Sequence, residues 1–327
     1  MKPLFKRCLT WAALSLAVLT STQAQTFPDN KPVTMVVPFA AGGPTDVVAR
    51  MLAIPMGKAL NTTVTVENTV GAGGTIASAR VARAAPTGHT IYLHHMGMAT
   101  AVALYRKLSF DPLKDFEYIG QVVDVPMTML ARKDFPANNL QDLIRMTKQS
   151  GKPLAYATAG VGTSSHLAAE YLFNTLAGIP ANHIPFKGGA PATTAVLGNQ
   201  VELLSASLGG ALPFIKQGKM KALALSPKRA DVAPGVPGLR ESGIGFDFNT
   251  WWGWFAPAGL PREITRRMNA EIAKLIAEPQ FHAKFIASQG LATDHPTGAS
   301  PEEFEKFIRA DQEEFARLVK MVGIKPQ

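Results

Sequence analysis

Cysteine is nearly absent from this 327-residue chain, which holds only Cys8. A disulfide framework and a cysteine-rich zinc module are therefore excluded. Charge is also scarce, at 17% of residues against a usual share of about 25%. With 46% apolar residues, that scarcity excludes a disordered chain. The best candidate membrane run, Cys8–Leu19, falls short of the roughly 20 apolar residues a spanning helix needs. No Lys/Arg stripe marks a nucleic-acid face; Arg262, Arg266 and Arg267 form the densest cluster and read as a solvated helix face. What remains is a chain long enough for about two domains, with ample apolar residues for two cores.

The first segment reads as an export signal. Lys2, Lys6 and Arg7 form a basic start, Cys8–Leu19 an uncharged apolar run, and Thr22-Gln23-Ala24 a small-residue cleavage site. Cys8 stands at the start of the apolar run, whereas a lipoprotein signal carries its cysteine at the end. Cleavage after Ala24 is expected, giving a cysteine-free exported protein that starts at Gln25. Losing three cations and no acid takes the formal charge from +9 to +6. A weak basic excess fits small anionic ligands.

Beyond the leader, strand-like and helix-like stretches alternate. Val33–Val37, Thr63–Glu67 and Thr90–His94 read as strands around helices at Asp46–Leu60 and Thr75–Arg83. The middle repeats the pattern, with expected strands at Pro153–Ala157, His183–Phe186, Val201–Ser205 and Lys221–Ser226. Three helices are expected at the end: Pro261–Ala277, Pro279–Gln289 and Ser300–Val322. Such alternation argues for an α/β fold of mainly parallel sheets flanked by helices. Gln121–Arg132 and Gly245–Pro257 run between strands without a helix and read as crossings between two lobes. The expected domains are a leader at 1–24, a discontinuous lobe 1 at 25–125 plus 247–327, and a lobe 2 at 126–246.

Four junctions follow a strand and open a helix: Phe39–Asp46, Val70–Thr75, Thr158–Ser165 and Phe186–Pro191. Ligands of open α/β sheets bind outside the carboxyl ends of the strands. Glycine admits close backbone approach, and a helix start offers unpaired N–H groups to an anion. Gly42, Gly43, Gly73 and Gly74 are candidates on this ground, although ordinary turn geometry also calls for glycine. Asp46 has two readings, a ligand contact or an acid at the third helical position that steadies the helix end. Thr163 and Ser164 are candidate contacts or helix caps. Lys187 is the one cation inside a glycine junction; it complements an anion or forms an ion pair at the lobe surface. Trp251, Trp252 and Trp254 read as core and hinge packing or as a stacking platform.

Enzyme signatures mostly fail. The stretch Gly71-x-Gly73 has Ile76 where a dinucleotide fingerprint needs glycine or alanine. No Walker A lysine pattern exists, and Ser205-Ala206-Ser207-Leu208-Gly209 lacks the first glycine of a nucleophile elbow. His166 and Glu170 share a helix face, but two ligands do not make a zinc site. His94 and His95 are neighbours on a strand and are expected on opposite faces, with one at the cleft rim. No cofactor, no metal and no catalysis are expected. A serine-rich loop beside His166 keeps an exported hydrolase as an alternative, and a ligand sensor feeding a signalling system as another.

The ordered series of motifs resembles one family. It comprises Val36-Val37-Pro38-Phe39-Ala40-Ala41-Gly42-Gly43-Pro44-Thr45-Asp46, Glu67–Gly74, Pro86-Thr87-Gly88-His89-Thr90 and Asp111–Phe116. It continues with Tyr156–Leu167, Pro185–Ala192, Gly218–Ala224 and Trp252–Gly259. From about Lys31 to Ile324 the chain is similar to the Bug-type periplasmic solute-binding proteins, receptors of tripartite tricarboxylate transporters. The resemblance implies a two-lobed periplasmic binding protein, a type II-like Venus flytrap that closes on a small carboxylate. The implied ligands are di- or tricarboxylates, acidic amino acids or aromatic acids; the implied partners are the membrane components of the transporter. The implied contacts are the loop Phe39–Asp46, the loop at Ala72, Gly73 and Gly74, and the loop Thr158–Ser165 with Thr158, Ala159, Thr163 and Ser164. Binding there is expected through backbone N–H groups, hydroxyls and water, without an arginine clamp. The chain departs from the family at Asn199–Gly210, where an Asp-containing segment is common; the small residues from Ser205 onward imply a roomier pocket.

Overall fold

The computed structural model describes residues 27–226, 230–294, 296–324 and 326. The expected leader and its cleavage point lie outside them. Strand β1 (Val33–Val37) is a run of apolar and β-branched residues, almost wholly buried. Such a run suits the middle of a parallel sheet, and β1 pairs in parallel with β2 (Val64–Asn68) and β3 (Thr90–His95). Helices α1 (Pro44–Leu60) and α2 (Thr75–Ala82) connect them. Helix α3 (Gly97–Leu104) follows β3. Its sequence is apolar all round, so it shows no amphipathic period; Met98, Ala99, Thr100 and Ala101 are buried.

Strand β4 (Phe116–Arg132) leads to α4 (Leu140–Ser150) and a second set of alternating elements. These are β5 (Leu154–Thr158), α5 (Ser164–Glu170), β6 (Ala181–Pro185), α6 (Gly189–Leu197), β7 (Leu203–Ser207), α7 (Leu208–Lys216) and β8 (Met220–Ser226). Helix α5 continues through a π-helical stretch, Tyr171–Ala177. The chain then returns through β9 (Asn249–Pro257) and ends with α8 (Arg262–Ala277) and α9 (Pro301–Met321). The single helix expected at Pro279–Gln289 is broken into a helical turn, a π turn and a 3-10 turn.

Two sheets share β4. Its first part pairs antiparallel with β9, from Phe116 opposite Pro257 to Pro126 opposite Asn249. From Met127 onward it pairs antiparallel with β7 and β8 instead. Pro126 has no N–H to donate, and it stands where the partners change. Strand β9 also pairs with β3, so the first sheet runs β2-β1-β3-β9-β4. In the second sheet β5 pairs in parallel with both β6 and β7. Each sheet with its helices forms one lobe of an α/β, two-lobed molecule. The final helices pack on the first lobe: Met268 and Ile272 share a core with Met35 and Leu52, and Phe304 and Ile308 share one with Tyr92 and Phe255. Gly253 on β9 lies flat under Phe304, where a Cβ would overlap the ring.

The lobes touch. The Ala40 N–H donates to the Lys187 carbonyl at 3.1 Å, and Thr100 Oγ1 donates to the Gly162 carbonyl at 2.9 Å. Glycines make the approach possible: a Cβ on Gly188 would sit 2.9 Å from Ala40 N, and one on Gly73 would overlap the Val161 carbonyl oxygen.

Candidate functional site

A cavity with about 460 Å³ of atom-free space, its mouth included, lies between the lobes. The first lobe contributes Phe39, Pro44, Thr45 and His95. The second contributes Ala159, Thr163, Ser164, Ser165, Gly189 and Ser205–Ser207. The strands that join the lobes add Met127, Thr250 and Trp252. Four helix starts therefore converge: Pro44 and Thr45 open α1, Thr163 and Ser164 open α5, Gly189 opens α6, and Ser207 precedes α7. Each start presents unpaired N–H groups and a partial positive charge. Among the described residues, no Lys, Arg, Asp or Glu lines the cavity. An anion here meets oriented dipoles and hydroxyls rather than a counter-charge.

Of the residues singled out in the sequence, Phe39, Thr45, Ala159, Thr163, Ser164 and Ser205 line this cavity. Gly42, Gly43, Asp46 and Thr158 stand behind its walls. Asp46 is buried, and its Oδ2 accepts from the Gly42 N–H and from Arg50 Nε, each at 2.9 Å. Its Oδ1 accepts from Asn68 Nδ2 at 2.9 Å, and the same amide donates to the Phe39 carbonyl. Burial opposes the charge on Asp46, but the bonds from Arg50, Gly42 and Asn68 outweigh it and hold the carboxyl below its ordinary range. Asp46 thus ties helix, loop and β2 together. Gly43 packs against the start of α6 across the cleft, where a Cβ on it would sit 3.6 Å from Ala190 N. Ala72, Gly73 and Gly74 lie outside the cavity lining; Gly73 meets Val161 of the other lobe, and Gly74 packs against His94. Lys187 is exposed, and its backbone carbonyl makes the cross-lobe bond.

The loop before α5 is set from behind. The Thr158 hydroxyl bonds His183 Nε2 at 2.5 Å and accepts the Gly160 N–H. The Gly162 N–H donates to His166 Nδ1 at 3.2 Å, so that nitrogen is unprotonated. The two imidazoles stack at 4.0 Å, with Glu170 3.7 Å from His166 Nε2. Tyr156 donates to Glu170. Thr163 is the helix cap by position, yet its hydroxyl bonds the Gly160 carbonyl and Ser165 Oγ rather than a helix N–H. Ser165 Oγ accepts the Ala159 N–H. Ser164 is thereby left as the hydroxyl of this loop that faces the cavity without a protein partner among the described residues.

Burial, and for His166 also the neighbouring imidazole, pushes His166 down to about 3; burial pushes His183 down to about 4. Both are neutral when folded and ordinary when unfolded, near pH 6.5. Unfolding then takes up protons below about pH 6.5 and above about pH 4. The stability they allow is complete above that window and falls as pH drops through it, by about 1.4 kcal/mol per pH unit for each histidine. Urea denaturation at pH 7.5 and pH 5 is expected to show this loss, and a His166→Asn variant is expected to show a shallower slope. Equal stability at both pH values would count against neutral folded imidazoles.

His95 is the one of the two histidines that lines the cavity, in keeping with the expectation of one at the cleft rim. His94 and His95 were expected on opposite faces, but their rings lie 4.7 Å apart. The strand ends at His95, and the turn into α3 swings the ring back: the Gly97 N–H donates to His95 Nδ1 at 2.7 Å. Burial pushes His95 down to about 3. Its proton therefore sits on Nε2, a neutral donor on a ring stacked 4.8 Å from Phe39. Its place at the carboxyl end of a strand was the available signal. All three tryptophans of β9 are buried, and Trp251 donates to Asp311 at 2.8 Å. Trp252 is both core and cavity wall, so the two readings of that cluster coincide in one residue.

Residues 48–324 match the sequence family described as the tripartite tricarboxylate transporter family receptor. The chain belongs to this receptor family. Among solved structures, the periplasmic binding protein BugD is 41% identical with a TM-score of 0.85, over 90% of this chain and 99% of BugD. MatC from Rhodopseudomonas palustris, with bound malate, is 35% identical with a TM-score of 0.83, over 90% of this chain and 100% of MatC. An R. palustris protein with adipate is 29% identical with a TM-score of 0.87, over 92% of this chain and 100% of that one. Receptors of the family are periplasmic solute-binding proteins and not enzymes. No helix among the described residues is long and apolar enough to cross a membrane.

Proposed function

We propose that this chain captures a small carboxylate between its lobes and delivers it to the membrane components of a tripartite tricarboxylate transporter. The observation that carries this reading is the convergence of four helix starts from both lobes on a cavity that no charged side chain lines among the described residues. The malate and adipate held by two structural neighbours support the same ligand class. The wider class to test includes di- and tricarboxylates, acidic amino acids and aromatic acids. In this reading Phe39, Thr45, Ala159, Thr163, Ser164, Ser205 and His95 face the ligand. Gly42, Gly43, Asp46 and Thr158 hold the loops, while Ala72, Gly73, Gly74 and Lys187 shape the lobe contact. Lobe 1 is 25–125 plus 247–327 and lobe 2 is 126–246, with β4 and β9 as the hinge. The leader, 1–24, is removed after Ala24.

A ligand shifts the open–closed balance only through its higher affinity for the closed form. The test is a thermal-shift screen of Gln25–Gln327, unfolded and refolded to remove carried ligand, against carboxylates, sugars and metal ions. A carboxylate at 100 times its dissociation constant is expected to add about 2.7 kcal/mol and raise the midpoint by several degrees. Stabilisation by sugars or metals with none from any carboxylate would reject the reading.

A further inference from the structure

Behind the cross-lobe cavity lies a second, narrow hollow inside the second lobe, with about 340 Å³ of atom-free space only when its open mouth is counted. The two share Met127 and Ser205 as a common wall. The far side is apolar, formed by Leu172, Leu239, Phe246 and Phe248. Among the described residues, no charged side chain lines this chamber. Its other hydroxyls are engaged: Thr128 Oγ1 donates to the Ala224 carbonyl at 2.9 Å, and Ser226 Oγ accepts the Phe248 N–H at 2.5 Å. The chamber thus offers almost no free polar group to a ligand or to water, which needs two to four partners to settle in a cavity. The wall is thin and yielding. Ser205 is small, and methionine, unbranched with three rotatable bonds, adapts readily to what lies against it.

We infer that the receptor takes a carboxylate with an apolar body, whose charged end sits among the helix starts and whose apolar end enters the chamber past Met127 and Ser205. This rests on the carboxylate-receptor reading and narrows it. The favoured class is an arylalkyl or medium-chain monocarboxylate. The opposing class is a compact tricarboxylate, whose further charges would be buried without hydrogen-bond partners in this direction. The first cavity agrees with that preference. Phe39, Trp252 and Met127 give it an apolar body, and its dipoles gather at the helix starts.

The test is calorimetry on refolded Gln25–Gln327 with acetate, propionate, butyrate, hexanoate, 3-phenylpropionate, succinate and citrate. Affinity is expected to rise about fourfold per added methylene until the chamber is full, with 3-phenylpropionate well above propionate. Ala168→Leu narrows the chamber and is expected to weaken 3-phenylpropionate at least tenfold more than propionate. Leu172→Ala widens it and is expected to move the optimum to a longer chain, which keeps the test open should the first variant misfold. Succinate or citrate binding with no gain along the monocarboxylate series would overturn this inference and leave the carboxylate-receptor reading standing. Binding of none of these acids would overturn this inference, and the carboxylate-receptor reading would rest on the wider thermal-shift screen. A higher melting temperature in Ala168→Leu with the whole ligand series unchanged would make the chamber a packing void, and would also overturn the inference.

Discussion

Gly73→Ala is expected to hold the lobes apart. Gly73 has φ +60°, and a Cβ there would overlap the Val161 carbonyl oxygen of the facing lobe. The receiving atom is backbone, so no side chain can swing away. Within its own lobe alanine costs about 1 kcal/mol for the left-handed conformation, and the Tyr105 hydroxyl, 2.9 Å from the added Cβ, has to turn aside. The closed form bears the overlap in addition, and overpacking of this kind costs about 1–3 kcal/mol. Affinity for the best carboxylate of the screen should therefore fall by about fivefold to about 150-fold, toward the upper end because the overlap is with main chain. The ligand-free melting temperature should fall by only a few degrees. Calorimetry with small-angle scattering, which reports compaction on ligand addition, measures both. Full compaction with unchanged affinity would mean that the Gly73–Val161 approach plays no part in closure.

The second large effect is expected from Asp46→Asn. All three partners of the Asp46 carboxylate are donors: the Gly42 N–H, Arg50 Nε and Asn68 Nδ2. An amide replaces one acceptor by a donor, so at least one of these partners faces a like group. A lost charge-assisted bond costs about 1.5–3 kcal/mol, and leaving a buried donor unmade adds to it. The acid also favours the start of α1 by about 0.3–1 kcal/mol. A stability loss of about 3 kcal/mol in urea denaturation is the expectation. Because the folded carboxyl titrates below its ordinary range, its contribution is present above about pH 4 and lost as pH falls below that. The difference between the wild type and the variant should therefore shrink in acid. Affinity should fall as well, since Phe39 and Thr45 line the cavity from the same loop. A variant as stable as the wild type would show that the carboxylate network is dispensable.

Much of this was legible in the chain because its causes are local. The run Val33–Val37 is apolar enough for a central parallel strand, and Pro44 is fit only to begin a helix, so the strand–loop–helix unit around Phe39–Asp46 follows from neighbours in sequence. The two helix-free stretches expected as crossings are occupied by β4 and β9, which pair with each other. Three of the four glycine junctions supply cavity residues for the same local reason, since each starts a helix at the carboxyl end of a strand. Helix α3 was hidden because a helix apolar all round has no period to read.

Other features depend on what folding brings near. The junction at Ala72–Gly74 looks like the others in sequence, yet it meets the Val161 turn, and the start of α7 at Ser207 takes a place at the cavity instead. His95 reaches the site because a helix begins right after its strand and its Gly97 N–H captures the ring. Asp46 looked equally fit for ligand or loop until Asn68, 22 residues away, supplied its third donor. The sequence by itself determined the α/β class, the two lobes and the chemistry of helix starts, because strand burial, proline and glycine act over a few residues. Only the tertiary structure decided which helix starts converge, which hydroxyls remain free and that an apolar chamber adjoins the site, because those depend on the relative placement of segments far apart in the chain.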